Sequence, residues 1–196
     1  MTTRVISLIL LWVAISTTAV AQIDFESELW IRDNAEIVQF MDRKCLMGSA
    51  FLKDVEFENG VIEFDLAVTG EKVRSYPGVL FRITSPGNYE RFYIRPHRAS
   101  LYPDALQYTP AFNGIDGWQL YNGEGFTASA TIPANQWLHF KLEVSGVRAR
   151  IYMDDMSKPI LVVNELKRGV SKGTIGLLTP RDKSAYFSNF DYKIDD

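Results

Sequence analysis

The sequence predicts an all-β domain, a two-sheet antiparallel jelly-roll sandwich, behind a short export segment. Stretches in which apolar and polar residues alternate recur along the chain, Gly, Pro, Asn and Asp turns separate them at short spacing, and helical periodicity is scarce. Alternation marks strands with one buried face, and the short spacing favours a sandwich over units in which strands alternate with helices.

The first residues hold the basic Arg4, an apolar stretch from Val5 to Ile15, and Ala19-Val20-Ala21 ahead of Gln22, the pattern of a secretory signal with a small-x-small cleavage site. At about 11 residues the apolar stretch falls short of the roughly 18 to 20 needed to cross a bilayer, so cleavage is expected and membrane insertion is not. No cysteine stands at the cleavage point to carry a lipid. The mature chain, residues 22–196, is expected to be secreted or periplasmic and to form one domain. Cys45 is the sole cysteine, so packing rather than an intramolecular disulfide must hold that domain together. Of the 21 Lys and Arg only Arg4 lies in the export segment, so the mature chain stays acidic against 24 Asp and Glu. That balance favours neither nucleic acid nor an anionic membrane as partner.

The first clear strand runs from Val61 to Val68, with Ile62, Phe64, Leu66 and Val68 pointing one way and Glu63 and Asp65 the other. Gly78 to Ile83 and Tyr89 to Arg95 flank Ser85-Pro-Gly-Asn88, whose residues suit a tight turn, and so form a hairpin. After Pro96 the breakers Pro103, Pro110, Gly114, Gly117, Gly123, Gly125 and Pro133 predict a long loop, and long loops in compact domains carry function. Trp137 to Val144 alternates cleanly, and a turn at Ser145-Gly146 leads to Val147 to Met153 as a second hairpin. Ile160 to Val163, Thr174 to Leu178 and Ala185 to Tyr192 supply three more strands.

The segment from Tyr89 to Gly123 packs aromatics, arginines, a histidine and amides together, the mix that sugar-binding surfaces use. Alternation puts Tyr89, Arg91, Tyr93 and Arg95 on one strand face and Glu90, Phe92 and Ile94 on the other, with Arg82 joining the first set from the neighbouring strand. A core does not accept unpartnered arginines, so that face is expected to open to ligand. The candidate ligand-binding residues are Arg82, Arg91, Arg95, Asp104, Gln107, Asn113, Trp118 and Tyr121. Guanidinium groups offer a planar fork of donors to carboxylate, sulfate or polarised hydroxyls, or else pair across strands with Glu63, Asp65 or Glu90. His97, beside Arg95 and titrating near neutrality, is the candidate catalytic base, with Tyr93 or Tyr108 as its partner; the alternative is a loop histidine that only donates a hydrogen bond. Two distant histidines and one cysteine do not make a zinc spacing. No cofactor is expected, although calcium stays open on Asp104, Asn113 and Asp116.

The strands GVIEFDL, GVLFRI, WLHFKLEVSGVRARIYMD, GTIGLLTP and AYFSNFDYKI, in that order, resemble the concanavalin A-like lectin/glucanase superfamily over nearly all of the mature chain. Within it the chain looks similar to laminin-G-like bacterial secreted domains related to the 3-keto-disaccharide hydrolase family. The resemblance implies a convex and a concave sheet, with ligands in the concave groove or on rim loops. Glu63 and Asp65 match the first two positions of the Glu-x-Asp-x-x-Glu or Glu-x-Asp-x-Glu signature of family 16 glycoside hydrolases, but Ala67 and Val68 stand where the third carboxylate would fall. Retaining cleavage needs a carboxylate pair, so that activity is not carried over. The first reading is a lectin-like carbohydrate-binding module. The second is a glycoside hydrolase or lyase-like enzyme on an oxidised or acidic sugar, and the third is a laminin-G-type protein-interaction domain.

Overall fold

Each alternating run of the sequence is a strand, and two hairpins that the alternation did not reveal join them. The computed structural model describes residues 22–70, 73–179 and 184–195, and the export segment expected at residues 1–21 lies outside these. An N-terminal hairpin pairs β1 (Trp30–Phe40) with β2 (Arg43–Leu52), and β3 (Gly60–Val68) follows. Next come β4 (Gly78–Ser85) and β5 (Asn88–Ile94), joined through Pro86 and through Gly87 at φ +75, as a type II turn requires. One 3-10 turn, Pro96–Arg98, leads to β6 (Leu106–Phe112) and to the short strands β7 (Ile115–Asp116) and β8 (Thr127–Ala128). The hairpin of β9 (Leu138–Ser145) and β10 (Arg148–Met153) precedes β11 (Leu161–Val163), β12 (Thr174–Leu178) and β13 (Ala185–Ile194). No helix among the described residues is long and apolar enough to cross a membrane.

Antiparallel pairing runs without a break through β11-β10-β9-β3-β13-β2-β12-β4-β5-β6-β7, with β1 on β2 and β8 on β6. The sheet curls until its halves face each other as the two layers of a sandwich. Phe92 of β5 meets Phe140 of β9 at 5.7 Å between ring centroids, and Phe140 stacks on Phe64 of β3 at 5.5 Å. The inward rows expected on β3 and β9, Ile62 to Val68 and Leu138 to Val144, are the buried ones.

The curl is made by β2. Its Leu46 stands opposite Phe187 of β13, in one layer, while its Ala50 stands opposite Leu177 of β12, in the other. The strand therefore changes layer between those two residues. Gly48 sits at the crossing with φ +111, beside a bulge in β1 between Asp33 and Glu36, and bulges are where strands turn such corners. A Cβ on Gly48 would stand 2.6 Å from the Ala35 Cα, so the corner needs glycine for space as well as for its dihedral.

Two polar features belong to this scaffold. On the outer face of β3, the buried Asp65 carboxylate is bonded by Arg43, by Asn189 Nδ2 at 2.6 Å and by His139 Nδ1 at 2.7 Å. It is a paired structural carboxylate, and Glu63 beside it lies 3.8 Å from His139 Nε2. On β4 the ladder to β5 shifts after Phe81, and Arg82 takes φ +49, which breaks the alternation expected to put it beside Arg91. Its guanidinium turns instead into the interior and donates to the carbonyls of Glu58 and Gly169 at 2.8 Å and of Gly146 at 2.6 Å. Arg82 thus ties three loops together and is not part of the β5 row.

Gly48→Ala is expected to cost about 2 kcal/mol or more through left-handed strain and the clash with Ala35. Urea unfolding checks this; an unchanged midpoint would mean that the layer crossing does not need glycine.

Candidate functional site

On β5 the period of two sends Phe92 and Ile94 into the core and Arg91, Tyr93 and Arg95 to the opposite face. Tyr93 stands opposite Gly78 of β4 and Gln107 of β6. A Cβ on Gly78 would lie 2.6 Å from the Tyr93 Cα, so glycine is what allows these strands to close. The same register brings the chain just before β4, with Arg74 and Tyr76, alongside Arg95. A groove of about 700 Å³ results over β5. Arg74 and Tyr76 border it on the β4 side, Trp118 on the β6 side, and His97, Arg98 and Asp104 at the C-terminal end of β5.

The floor is a closed hydrogen-bond system. Arg95 donates from Nη1 to Asp104 Oδ2 at 2.6 Å and from Nη2 to the Tyr93 hydroxyl at 2.7 Å and to Gln107 Oε1. The Tyr93 hydroxyl donates in turn to Gln107 Oε1 at 2.6 Å, and Gln107 Nε2 donates to the carbonyls of Trp118 at 2.9 Å and Tyr121 at 2.6 Å. The side chains of one strand thereby fix the loop that carries Trp118. Arg91 reaches Asp116 Oδ2 at 3.2 Å and the Tyr76 carbonyl at 2.6 Å, which fixes the opposite border. The Tyr93 ring lies beneath both guanidiniums, 4.4 Å from Arg91 and 5.2 Å from Arg95, a cation–π arrangement that offsets part of the cost of their burial. Burial raises the Tyr93 phenol above its usual range, so at neutral pH it stays a hydroxyl committed to these bonds.

Trp118 is different because the residue is 46% exposed while its backbone carbonyl is held, and its ring centroid lies 5.7 Å from the Arg95 guanidinium. His97, half-buried, packs edge-on against Tyr76 at 5.5 Å between ring centroids, and its buried Nδ1 has no partner among the described residues. Burial, and then the positive charges of Arg74, Arg95 and Arg98, hold the imidazole below its ordinary value, with Asp104 opposing. It is therefore neutral at pH 7.

Of the residues expected at the site, Arg91, Tyr93, Arg95, His97, Asp104, Gln107 and Trp118 come together here. Tyr121 contributes its carbonyl, while its ring packs on Phe126 at 5.5 Å. The structure does not bring Arg82, Tyr108 or Asn113 to the groove. Tyr108 lies on β6 rather than in a loop, one residue past Gln107, so alternation turns it to the core. Its hydroxyl donates there to Glu90 Oε2 at 2.6 Å and accepts the Lys167 N–H at 2.7 Å. Asn113 leads the β6–β7 turn with φ +51 and bonds Asn88, at the end of β5 remote from His97. The donors considered for calcium are engaged as well, Asp104 with Arg95 and Arg98 and Asp116 with Arg91 and Tyr89. Among the described residues no group of three or more His, Cys, Asp or Glu is placed to hold a metal. Arg74, Tyr76 and Leu178 line the groove without having been expected there. The strand register could have found Tyr76, because pairing Gly78 with Tyr93 sets residue 76 beside Arg95.

No protein-family model matches the chain, and no curated protein matches it. Among solved structures it is similar to a family 66 carbohydrate-binding module from Bacillus subtilis, at TM-score 0.63 and 20% identity over 84% of this chain and 95% of that one. It is also similar to the β-glucanase of Bacillus licheniformis, at TM-score 0.56 and 11% identity over 88% and 95%, respectively. Chicken galectin 2 aligns at TM-score 0.54 and 10% identity over 75% and 98%. The chain has the concanavalin A-like jelly-roll fold. At these identities the jelly roll is what the likeness establishes, and the chemistry has to be argued from the groove.

A histidine kept neutral by its surroundings makes stability depend on pH. The unfolded chain protonates near 6.5 and the folded one lower, so stability present above about pH 6.5 is lost as the pH falls through the folded value. The drop in Tm between pH 7 and pH 5 is expected to be smaller in His97→Gln than in the wild type. Equal drops would show that His97 does not sit in a positive, desolvated site.

Proposed function

We propose that the chain is an exported carbohydrate-binding module that holds a sugar in the β5 groove, against Trp118. One observation carries this reading: a half-exposed tryptophan borders a groove whose floor is locked by its own hydrogen bonds, with His97 and the outer nitrogens of Arg74 and Arg98 as polar groups at its edge. Recognition of pyranose or furanose rings uses this combination of an accessible apolar face and a few fixed polar groups. Preformed sites of this kind avoid the entropy of ordering side chains on binding. Two of the solved structures of the same fold, the carbohydrate-binding module and the galectin, support the reading by what they are called. The signal-like first 21 residues support export to where polysaccharide is met.

Cleavage is the second reading, and the neutral imidazole of His97, whose buried Nδ1 has no hydrogen-bond partner among the described residues, is the observation in its favour. Against it stands the state of the carboxylates, since Asp104 and Asp116 are both neutralised by arginines and neither is poised as an acid or nucleophile. A panel of polysaccharides, scored for retention of the mature protein in affinity gels and for new reducing or unsaturated ends, separates the two. The expected result is retention by at least one polysaccharide without product, and a loss of about tenfold or more in affinity in Trp118→Ala, equivalent to roughly 1.4 kcal/mol. Product formation that disappears in His97→Ala would move the assignment to the enzyme. Retention untouched by Trp118→Ala would place the sugar elsewhere.

A further inference from the structure

The groove has more positive charge than its own bonding uses. Among the described residues that line it, four guanidiniums, of Arg74, Arg91, Arg95 and Arg98, face two carboxylates, of Asp104 and Asp116. The full chain carries a net charge of −3, so this local excess runs against the general balance. Two of the arginines explain themselves. Arg91 and Arg95 are buried and bonded through their terminal nitrogens, the one to Asp116 and the Tyr76 carbonyl, the other to Asp104, Tyr93 and Gln107. They hold the floor and the loops.

Arg98 and Arg74 do not. Arg98 shares with Arg95 the single carboxylate of Asp104, which is bonded to both. Arg74 is exposed, and the bond it makes among the described residues is from Nε to the neutral Tyr76 hydroxyl at 3.3 Å, which leaves its terminal nitrogens directed to no described carboxylate. His97 lines the same groove, and its buried Nδ1 has no hydrogen-bond partner among the described residues. The charges of Arg74, Arg95 and Arg98 all act to disfavour protonation of that ring, so the C-terminal end of β5 is a place of positive potential in a partly desolvated wall. Such a concavity focuses the field on whatever enters it.

We infer that the sugar taken by this groove is acidic, with its negatively charged substituent held at the His97 end between Arg74 and Arg98 while the ring of the sugar lies toward Trp118. This rests on the carbohydrate reading and sharpens it to a substrate class. Arg98 supplies nitrogens beyond the Nε given to Asp104, Arg74 supplies its terminal pair, and the guanidinium fork matches the oxygens of a carboxylate or a sulfate. Either group would also offset one of the two positive charges left after Asp104 and Asp116 are spent.

Isothermal titration of the mature protein with short oligogalacturonate, its carboxyl-reduced neutral counterpart, a sulfated galactan oligomer and its desulfated counterpart tests this. The expected result is that at least one acidic oligomer binds about tenfold or more tightly than its neutral counterpart, with the preferred pair telling carboxylate from sulfate. Raising salt from ~50 to ~500 mM should weaken the acidic oligomer and leave the neutral one. Arg74→Ala should weaken the acidic oligomer far more than the neutral one and so remove most of the acidic preference, Arg74→Lys should restore part of it, and Trp118→Ala should weaken both. Neutral oligomers that bind as well as the acidic ones, or a preference untouched by Arg74→Ala, would overturn the acidic assignment and leave the carbohydrate reading standing. If no oligomer here binds but a neutral polysaccharide does, the acidic assignment falls alone. If no glycan binds at all, both fall together.

Discussion

A guanidinium taken out of water needs acceptors for its donors, and the way each arginine near β5 finds them shapes the chain around it. Arg82 meets the requirement with three loop carbonyls and so draws residues 58, 146 and 169 onto the end of the sheet. Arg91 meets it through its terminal nitrogens, with Asp116 and the Tyr76 carbonyl, while its buried Nε has no partner among the described residues, and Arg95 bonds Asp104, Tyr93 and Gln107. Asp104, the Tyr76 carbonyl and the three carbonyls that Arg82 meets lie in loops with no ladder of their own, so there the arginine supplies the order that strand pairing supplies elsewhere. The groove borders are held by its floor.

The same bonding separates binding groups from scaffold. Tyr93 and Gln107 face the groove, yet every polar atom of theirs is already given to a neighbour, and their work is to hold Arg95 and the Trp118 loop in place. What remains for a ligand is the Trp118 ring, the His97 edge and the outer nitrogens of Arg74 and Arg98. This is a small set placed at two ends of one groove, which suits recognition of a sugar ring and its substituent. The paired Asp65 on the other layer shows the same economy, since the carboxylate that resembles a glucanase residue is closed off by Arg43, Asn189 and His139.

Alternation made much of this legible in the sequence, and its breaks hid the rest. On β5 the residues 89 to 95 alternate without interruption, so Arg91, Tyr93 and Arg95 were readable as one face, and His97 as the group at its end. Arg82 was misplaced by a bulge, which shifts register after Phe81 and leaves no mark in residue type. In β6, Leu106 to Phe112, Pro110 reads as a breaker, but it falls between the stretches paired with β8 at 106–107 and with β7 at 111–112, where the missing N–H is tolerated. With that strand unseen, Tyr108 and Asn113 looked like loop residues near His97, whereas pairing sends one to the core and the other to the far turn. The N-terminal hairpin was hidden in a similar way, by the β1 bulge and Gly48.

On the proposed reading the open face of β5 and β6, and not the carboxylate-bearing face of β3, meets the sugar. Two-dimensional NMR of labelled protein spanning residues 22–196, titrated with an oligosaccharide it retains, decides between the two faces. The expected shifts are those of the Trp118 indole N–H, the His97 ring and the backbone amides of β5 and β6, with the amides around Glu63, Asp65 and His139 unmoved. Shifts confined to the Asp65 cluster, with Trp118 and His97 unchanged, would contradict it.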